Sequence, residues 1–166
     1  GALPPTKQKE VAMAHGLSTE ITGEDLIFHY QPHQKIPAYK DFIVDAEGYR
    51  NRTEWSNNPD VVILGDSISI AANSSIDIAD LFRNDGYTAI NLSMGGQSPQ
   101  QYRDVLVKKI KDKKINPKLV LVVLFSGNDL RDAALYNRLA LEGKDYRAYY
   151  GSPQQSMQFR KNVFKI

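Results

Sequence analysis

Apolar residues gather along this chain in two rhythms. Val61-Val-Ile-Leu64 and Leu119-Val-Leu-Val-Val-Leu-Phe125 are continuous runs rich in branched side chains, the pattern of strands buried on both faces of a parallel sheet. The second of them is expected to be the longest buried strand, and Tyr87 to Leu92 reads as a strand between the two. The other rhythm is helical. Asp77 to Phe82 spaces Ile78, Ala79, Leu81 and Phe82 for a helix that Asp85-Gly86 closes. Ser98-Pro-Gln-Gln101 supplies an N-cap serine, a first-turn proline and a capping-box glutamine. The helix that follows runs to about Lys114 with Tyr102, Val105, Leu106 and Ile110 on one face, and Asn116-Pro117 breaks it. Asp129 to Leu141 predicts a third helix.

Strand, helix, strand, helix, strand is the order of a right-handed parallel α/β sheet. Three strands are few for that class. The sheet is therefore expected to be incomplete at its C-terminal edge, either because the chain is truncated or because another chain pairs there. Residues 1–35 mix Pro4, Pro5, Gly16, Gly23 and Pro32 with weak periodicity, and read as a loosely structured arm with room for one short helix. Residues 36–166 form the α/β domain. It opens with an aromatic and charged lead-in, Ile36 to Trp55, in which Asp45-Ala-Glu-Gly48 is a turn between two short extended pieces packed on the rest. From Gly143 the tail is polar and tyrosine-rich, without a further central strand.

Composition narrows the function classes. At 166 residues, 42% hydrophobic and 24% charged, the chain suits one ordinary globular domain. Its net charge of +2 offers no strong field for a phosphate backbone, so nucleic acid is not an expected partner. The basic run Lys108 to Lys114 reads as the wet face of the second helix. With no cysteine, disulfides, thiolate metal sites and a cysteine nucleophile are all excluded, and the compartment stays open. No stretch approaches the roughly 20 apolar residues of a membrane span, and Gly1 to Glu10 lacks a signal-peptide core. No cofactor is expected, because no dinucleotide or P-loop glycine pattern fits any turn. No metal site is expected either: His29 and His33 stand four apart, but Pro32 between them argues against a shared helix face.

Open α/β sheets bind ligands at the carboxyl ends of their strands. The residues there are Gly65-Asp66-Ser67-Ile68-Ser69, Ser93-Met94-Gly95-Gly96-Gln97 and Ser126-Gly127-Asn128-Asp129. A serine on a tight strand-to-helix turn is exposed for attack, and the helix dipole behind it favours developing negative charge. A glycine offers an unobstructed backbone N–H and an asparagine a side-chain NH2, which together make an oxyanion hole. Asp66 reads as a turn-forming carboxylate.

Gly65-Asp66-Ser67 after an apolar strand, a glycine in the second loop and Gly127-Asn128-Asp129 in the third resemble the first three sequence blocks of the SGNH (GDSL-type) hydrolase family. The lead-in Asp45-Ala-Glu-Gly48-Tyr-Arg50-Asn51 is similar to the segment before the serine block in many bacterial members, so the resemblance spans about Asp45 to Asp132. It implies a three-layer, flavodoxin-like sheet and hydrolysis of acyl or acetyl esters of small molecules, glycans or lipids. It also implies Ser67 as nucleophile and oxyanion donor, Gly96 (with Gly95 as the alternative) as second donor and Asn128 as third. Carbohydrate O-acetyl transfer is a near alternative, and a non-catalytic binding or scaffold protein of the same fold a more distant one. The family's base is a histidine near the C-terminus with an aspartate three residues before it. No Asp-x-x-His occurs here, and the last of the three histidines is His33. The resemblance therefore implies that these residues alone are nearly inactive, and that truncation explains the missing pair.

Overall fold

The computed structural model describes residues 17–22, 25–30, 32–33, 42–71, 74–95 and 97–143. In chain order these hold β1 (Leu17–Thr22), β2 (Asp25–Tyr30), β3 (Val61–Leu64), α1 (Ser67–Ile70), α2 (Ile78–Asn84), β4 (Ala89–Asn91), α3 (Pro99–Lys113), β5 (Leu119–Val122) and α4 (Asp129–Leu141). The strands make two sheets. β1 and β2 are an antiparallel hairpin with Leu17 opposite Tyr30 and Thr22 opposite Asp25. β3 lies between β4 and β5 and is parallel to both.

β3 shows why this is an α/β protein. All four of its residues are buried, and because strand side chains alternate in direction they feed two separate cores. Val62 and Leu64 pack with Ile90, Leu92, Tyr102, Val105 and Ile115, under α3. Val61 and Ile63 pack with Ala79, Ala89, Ile78 and Phe82, under α2. Helices thus cover both faces, and the crossovers through α2 and α3 place β4 and β5 on opposite sides of β3.

The helix ends follow their local chemistry. Asp77 caps α2: its Oδ1 accepts from Asp80 N at 2.9 Å, and Asp80 Oδ2 accepts from Asp77 N at 3.1 Å. In α3, Gln101 Oε1 reaches back to Ser98 N at 2.9 Å, and Pro99 occupies the first turn. The turn expected at Asp45 to Gly48 is present. Asp45 N donates to Tyr49 O at 2.8 Å, Val44 bridges Arg50, and Asp45 Oδ1 accepts from Glu47 N and Tyr49 N at 2.8 and 2.9 Å.

Four expectations change. Instead of a loose arm with a short helix, residues 17–30 contain the β1–β2 hairpin, whose β2 lies against α3 and joins the lead-in through Tyr30 N to Gly48 O at 2.8 Å. Leu119 to Phe125 is not a fully buried strand. Among the described residues it pairs only with β3, Leu119 and Val122 are about half exposed (52% and 47%), and the strand ends at Val122. The strand expected over Tyr87 to Leu92 is confined to Ala89–Asn91, and Tyr87 is exposed. On α3, Ile110 faces outward while Lys109 is buried. Lys109 shares the inward stripe of Tyr102 and Val105. Its ammonium lies 5.3 Å from the Tyr49 ring centroid and 5.7 Å from that of Trp55, 3.2 Å from Glu47 Oε2. Those partners come from the lead-in, so the basic run is not wholly a wet face. The tail after Gly143 lies outside the described residues.

Candidate active site

The turn leaving β3 folds tightly back on itself. A Cβ at Gly65 would stand 2.0 Å from Ser69 Oγ and 3.0 Å from Val123 O, so no side chain fits between this turn and the neighbouring β5 segment. Asp66 is buried, and its Oδ1 accepts from Ile68 N at 2.8 Å, which makes it the N-cap of α1. It is the turn-forming carboxylate expected. Ser67 is the first residue of α1 and is exposed, whereas Ser69, two positions on, is buried. The helix ends after four residues at Ala71, in a left-handed conformation (φ 48°). So short a helix sums few peptide dipoles, and the expected help from a helix macrodipole is correspondingly small.

The second loop continues the ladder beside that turn. Leu92 N donates to Ile63 O at 2.8 Å and Met94 N to Gly65 O at 3.1 Å. This brings Gly95 against Ser67: a Cβ built on Gly95 would lie 3.6 Å from Ser67 Cβ. Gly96 lies outside the described residues. Of the two glycines, the one described beside Ser67 is thus the alternative, Gly95.

The third loop leaves β5 on the other side of β3, tied to it by Val123 N to Leu64 O at 2.8 Å. Asn128 is half-buried there, and its Nδ2 donates to Asp129 Oδ1 at 3.3 Å. Asp129 is fully buried at the start of α4 and organises this loop. Its Oδ2 accepts from Phe125 N at 2.8 Å and lies 3.1 Å from the Tyr102 hydroxyl, which also stands 3.2 Å from Gln97 O of the second loop. The single hydroxyl proton of Tyr102 is thus shared between two loops. Sequence reasoning missed Tyr102 and Asp129 as site supports, because one reads as a core aromatic and the other as a helix cap.

Beneath the first turn lies a buried polar layer that no local pattern announces. Asn91, on β4, donates through Nδ2 to Ser69 O at 3.3 Å and to Asp77 Oδ2 at 2.9 Å, and its Oδ1 accepts from Ser93 N at 2.9 Å. One side chain therefore links the first loop, the second loop and the cap of α2. Arg50 stands beside Asp77, Nε to Oδ2 3.8 Å, with both side chains almost fully buried. Burial pushes the Arg50 guanidinium below its ordinary pKa, against the opposing pull of Asp77 and Asp80.

The described histidines stand elsewhere. His29 is buried, with Nδ1 2.7 Å from Tyr30 O and its ring against Gly48. His33 lines a cavity of about 400 Å³ with Asp45, Glu47, Trp55 and Lys113. Lys113 closes α3, whose first residue Pro99 follows the second loop. Ser67 is not among the residues that line this cavity. His15 lies outside the described residues. Among the described residues no group of three or more His, Asp or Glu gathers to hold a metal ion.

Comparison with protein-family models, with curated proteins and with solved structures finds no match.

Proposed function

We propose that this chain carries the nucleophile side of an SGNH-type serine ester hydrolase site. The observation that carries the reading is the exposed Ser67 on the tight turn leaving the central strand, with Gly95 facing it and no side chain between. The strand order β4-β3-β5 with helices on both faces supports the flavodoxin-like, three-layer form of the fold. It puts the Ser67 and Asn128 loops on the two strands where the chain reverses direction across the sheet.

In this reading Ser67 Oγ attacks the acyl carbonyl of a small-molecule, glycan or lipid ester. The carbonyl oxygen becomes an oxyanion that accepts from Ser67 N–H, the glycine N–H of the second loop and Asn128 Nδ2. The hydroxyl proton that Ser67 loses passes through a general base, which the described residues do not supply, to the departing alcohol, and water then releases the acid from the acyl-serine and restores the Ser67 proton. Asp129 accepts from one Asn128 N–H and so orients the carboxamide.

The test is exposure of the full-length gene product, with any Asp-x-x-His pair it carries, to a fluorophosphonate, with adducts mapped by mass spectrometry. An adduct on Ser67 that disappears in Ser67→Ala is the expected result. Adducts only elsewhere, or none, end the reading. A non-catalytic binding role draws on one observation, that neither His29 nor His33 stands beside Ser67. A Ser67 that takes no label favours it.

A further inference from the structure

We infer that Arg50 is a positioning residue for Ser67, holding the one-turn helix that starts at the serine by the carbonyl groups at its far end. The inference rests on Ser67 being the nucleophile. A single helical turn does not sustain itself, since nucleation fixes several residues for one hydrogen bond, and its last carbonyls have no partner within the helix. At the two ends of α1, Ile70 N donates to Asp66 O at 3.1 Å and Ala71 N to Ile68 O at 3.2 Å.

The carbonyl end is instead gripped from outside. Arg50 Nη1 donates to Ile70 O at 2.7 Å and Ala71 O at 2.6 Å, and Nη2 donates to Ser74 O at 2.7 Å. Asn91 Nδ2 takes Ser69 O. A guanidinium is suited to this because its planar fork presents several N–H groups in fixed directions. The fork is itself immobilised. Arg50 is 2% exposed, sits 5.0 Å over the Phe42 ring, and has its backbone pinned by the bridge to Val44.

The lead-in thereby reaches through the molecule to fix the turn on which Ser67 rides. Loosening that grip lets α1 fray and lets the Ser67 hydroxyl and N–H drift from Gly95. A misplacement of about 1 Å in a reacting group can cost on the order of 10²-fold in rate.

The experiment measures the second-order rate of fluorophosphonate labelling at Ser67 together with peptide-resolved hydrogen exchange over residues 68–76. It compares the full wild-type chain with Arg50→Lys, Arg50→Met and Val105→Ala. Arg50→Met removes the donor to Ile70 O, Ala71 O and Ser74 O, of which Ala71 O keeps Ser74 N at 2.9 Å, and is the harsher change. Arg50→Lys keeps the charge in the fold but cannot span the three acceptors. We expect Arg50→Lys to label at least tenfold more slowly and to exchange at least tenfold faster over 68–76. Val105→Ala, a destabilising change in the α3 core, should label within twofold of wild type. Labelling of Arg50→Lys within twofold of wild type overturns the inference while leaving Ser67 as nucleophile. An equal fall in Arg50→Lys and Val105→Ala also overturns it, since global stability then accounts for the loss. A wild-type chain that takes no label on Ser67 overturns both the inference and the reading beneath it.

Discussion

The carboxamide of Asn51 pairs with the backbone of Asn91 as a neighbouring strand would. Asn91 N donates to Asn51 Oδ1 at 2.8 Å, and Asn51 Nδ2 donates to Asn91 O at 3.0 Å. These are two of the outward-facing groups of β4, an edge strand that would otherwise offer itself to another chain. Arg83 assists by donating through Nε and Nη2 to Ala89 O and through Nη2 to Asn51 Oδ1 at 2.6 Å. One edge of the sheet is thus sealed by side chains from the lead-in and from α2.

Removing that seal leaves two buried backbone groups without partners. Asn51→Ala should cost about 2–6 kcal/mol, since each such group costs about 1–3. Urea denaturation monitored by circular dichroism measures it as a lower midpoint at unchanged slope. A shift of the midpoint too small to measure would contradict the pairing.

Two glycines in left-handed conformations should respond differently to the same change. At Gly48 (φ +83°) a Cβ would lie 2.3 Å from Tyr30 O and 2.5 Å from His29 Nδ1, whereas at Gly86 (φ +88°) it meets nothing within 4 Å. Gly86→Ala adds only left-handed strain, about 1–2 kcal/mol. Gly48→Ala adds a clash with backbone, so we expect about 3 kcal/mol or more and a hairpin parted from the lead-in. Parallel thermal melts of the two variants test the ranking.

Glu47 should give the protein an acid-sensitive step. Burial raises its pKa, but hydrogen bonds from Lys113 and Lys109 outweigh that and hold the carboxyl below its ordinary value of 4.5. A depressed carboxylate contributes stability that is present above about pH 4.5 and lost as pH falls through the folded value. Lys113 is too exposed for its bond to count for much. The larger share comes from Lys109, buried against Tyr49 and Trp55. Glu47→Gln should cost about 1–2 kcal/mol at pH 7, and the difference from wild type should shrink below pH 4.5. Urea midpoints from pH 3 to 8 would show the two curves converging on the acid side; parallel curves would remove Glu47 from this role.

Gly95 offers a steric test of the site that leaves the fold alone. An added methyl would sit in ordinary contact with Ser67 at 3.6 Å. Gly95→Ala should therefore label with a fluorophosphonate within a few-fold of wild type. Gly95→Val brings further atoms over the serine, and we expect at least a tenfold loss of labelling with the melting temperature little changed. Equal labelling in both variants would place the reacting group away from this glycine.

Local chemistry by itself settled much of this protein. Val61–Leu64 is a strand because four consecutive apolar residues lie between Asp60 and Gly65, and α2, α3 and α4 begin where Asp77, Ser98-Pro99 and Asp129 say they should. Such signals act between residues a few positions apart, through caps, turns and backbone preference, and they are legible in one dimension. The β1–β2 hairpin also had a local signal, Thr19 to Thr22 and Leu26 to Phe28 on either side of Gly23, which the prolines and glycines around it obscured. Other features were decided only when distant segments met. Asn51 finds Asn91 forty positions away, and Arg50 finds Ile70 twenty away. Lys109 turns inward because Tyr49 and Trp55 are there to receive it, and Leu119 stays exposed because nothing described lies beyond β5. Burial and long-range hydrogen bonding belong to pairs of surfaces, and a sequence read along its length contains each surface but not which other one it will touch.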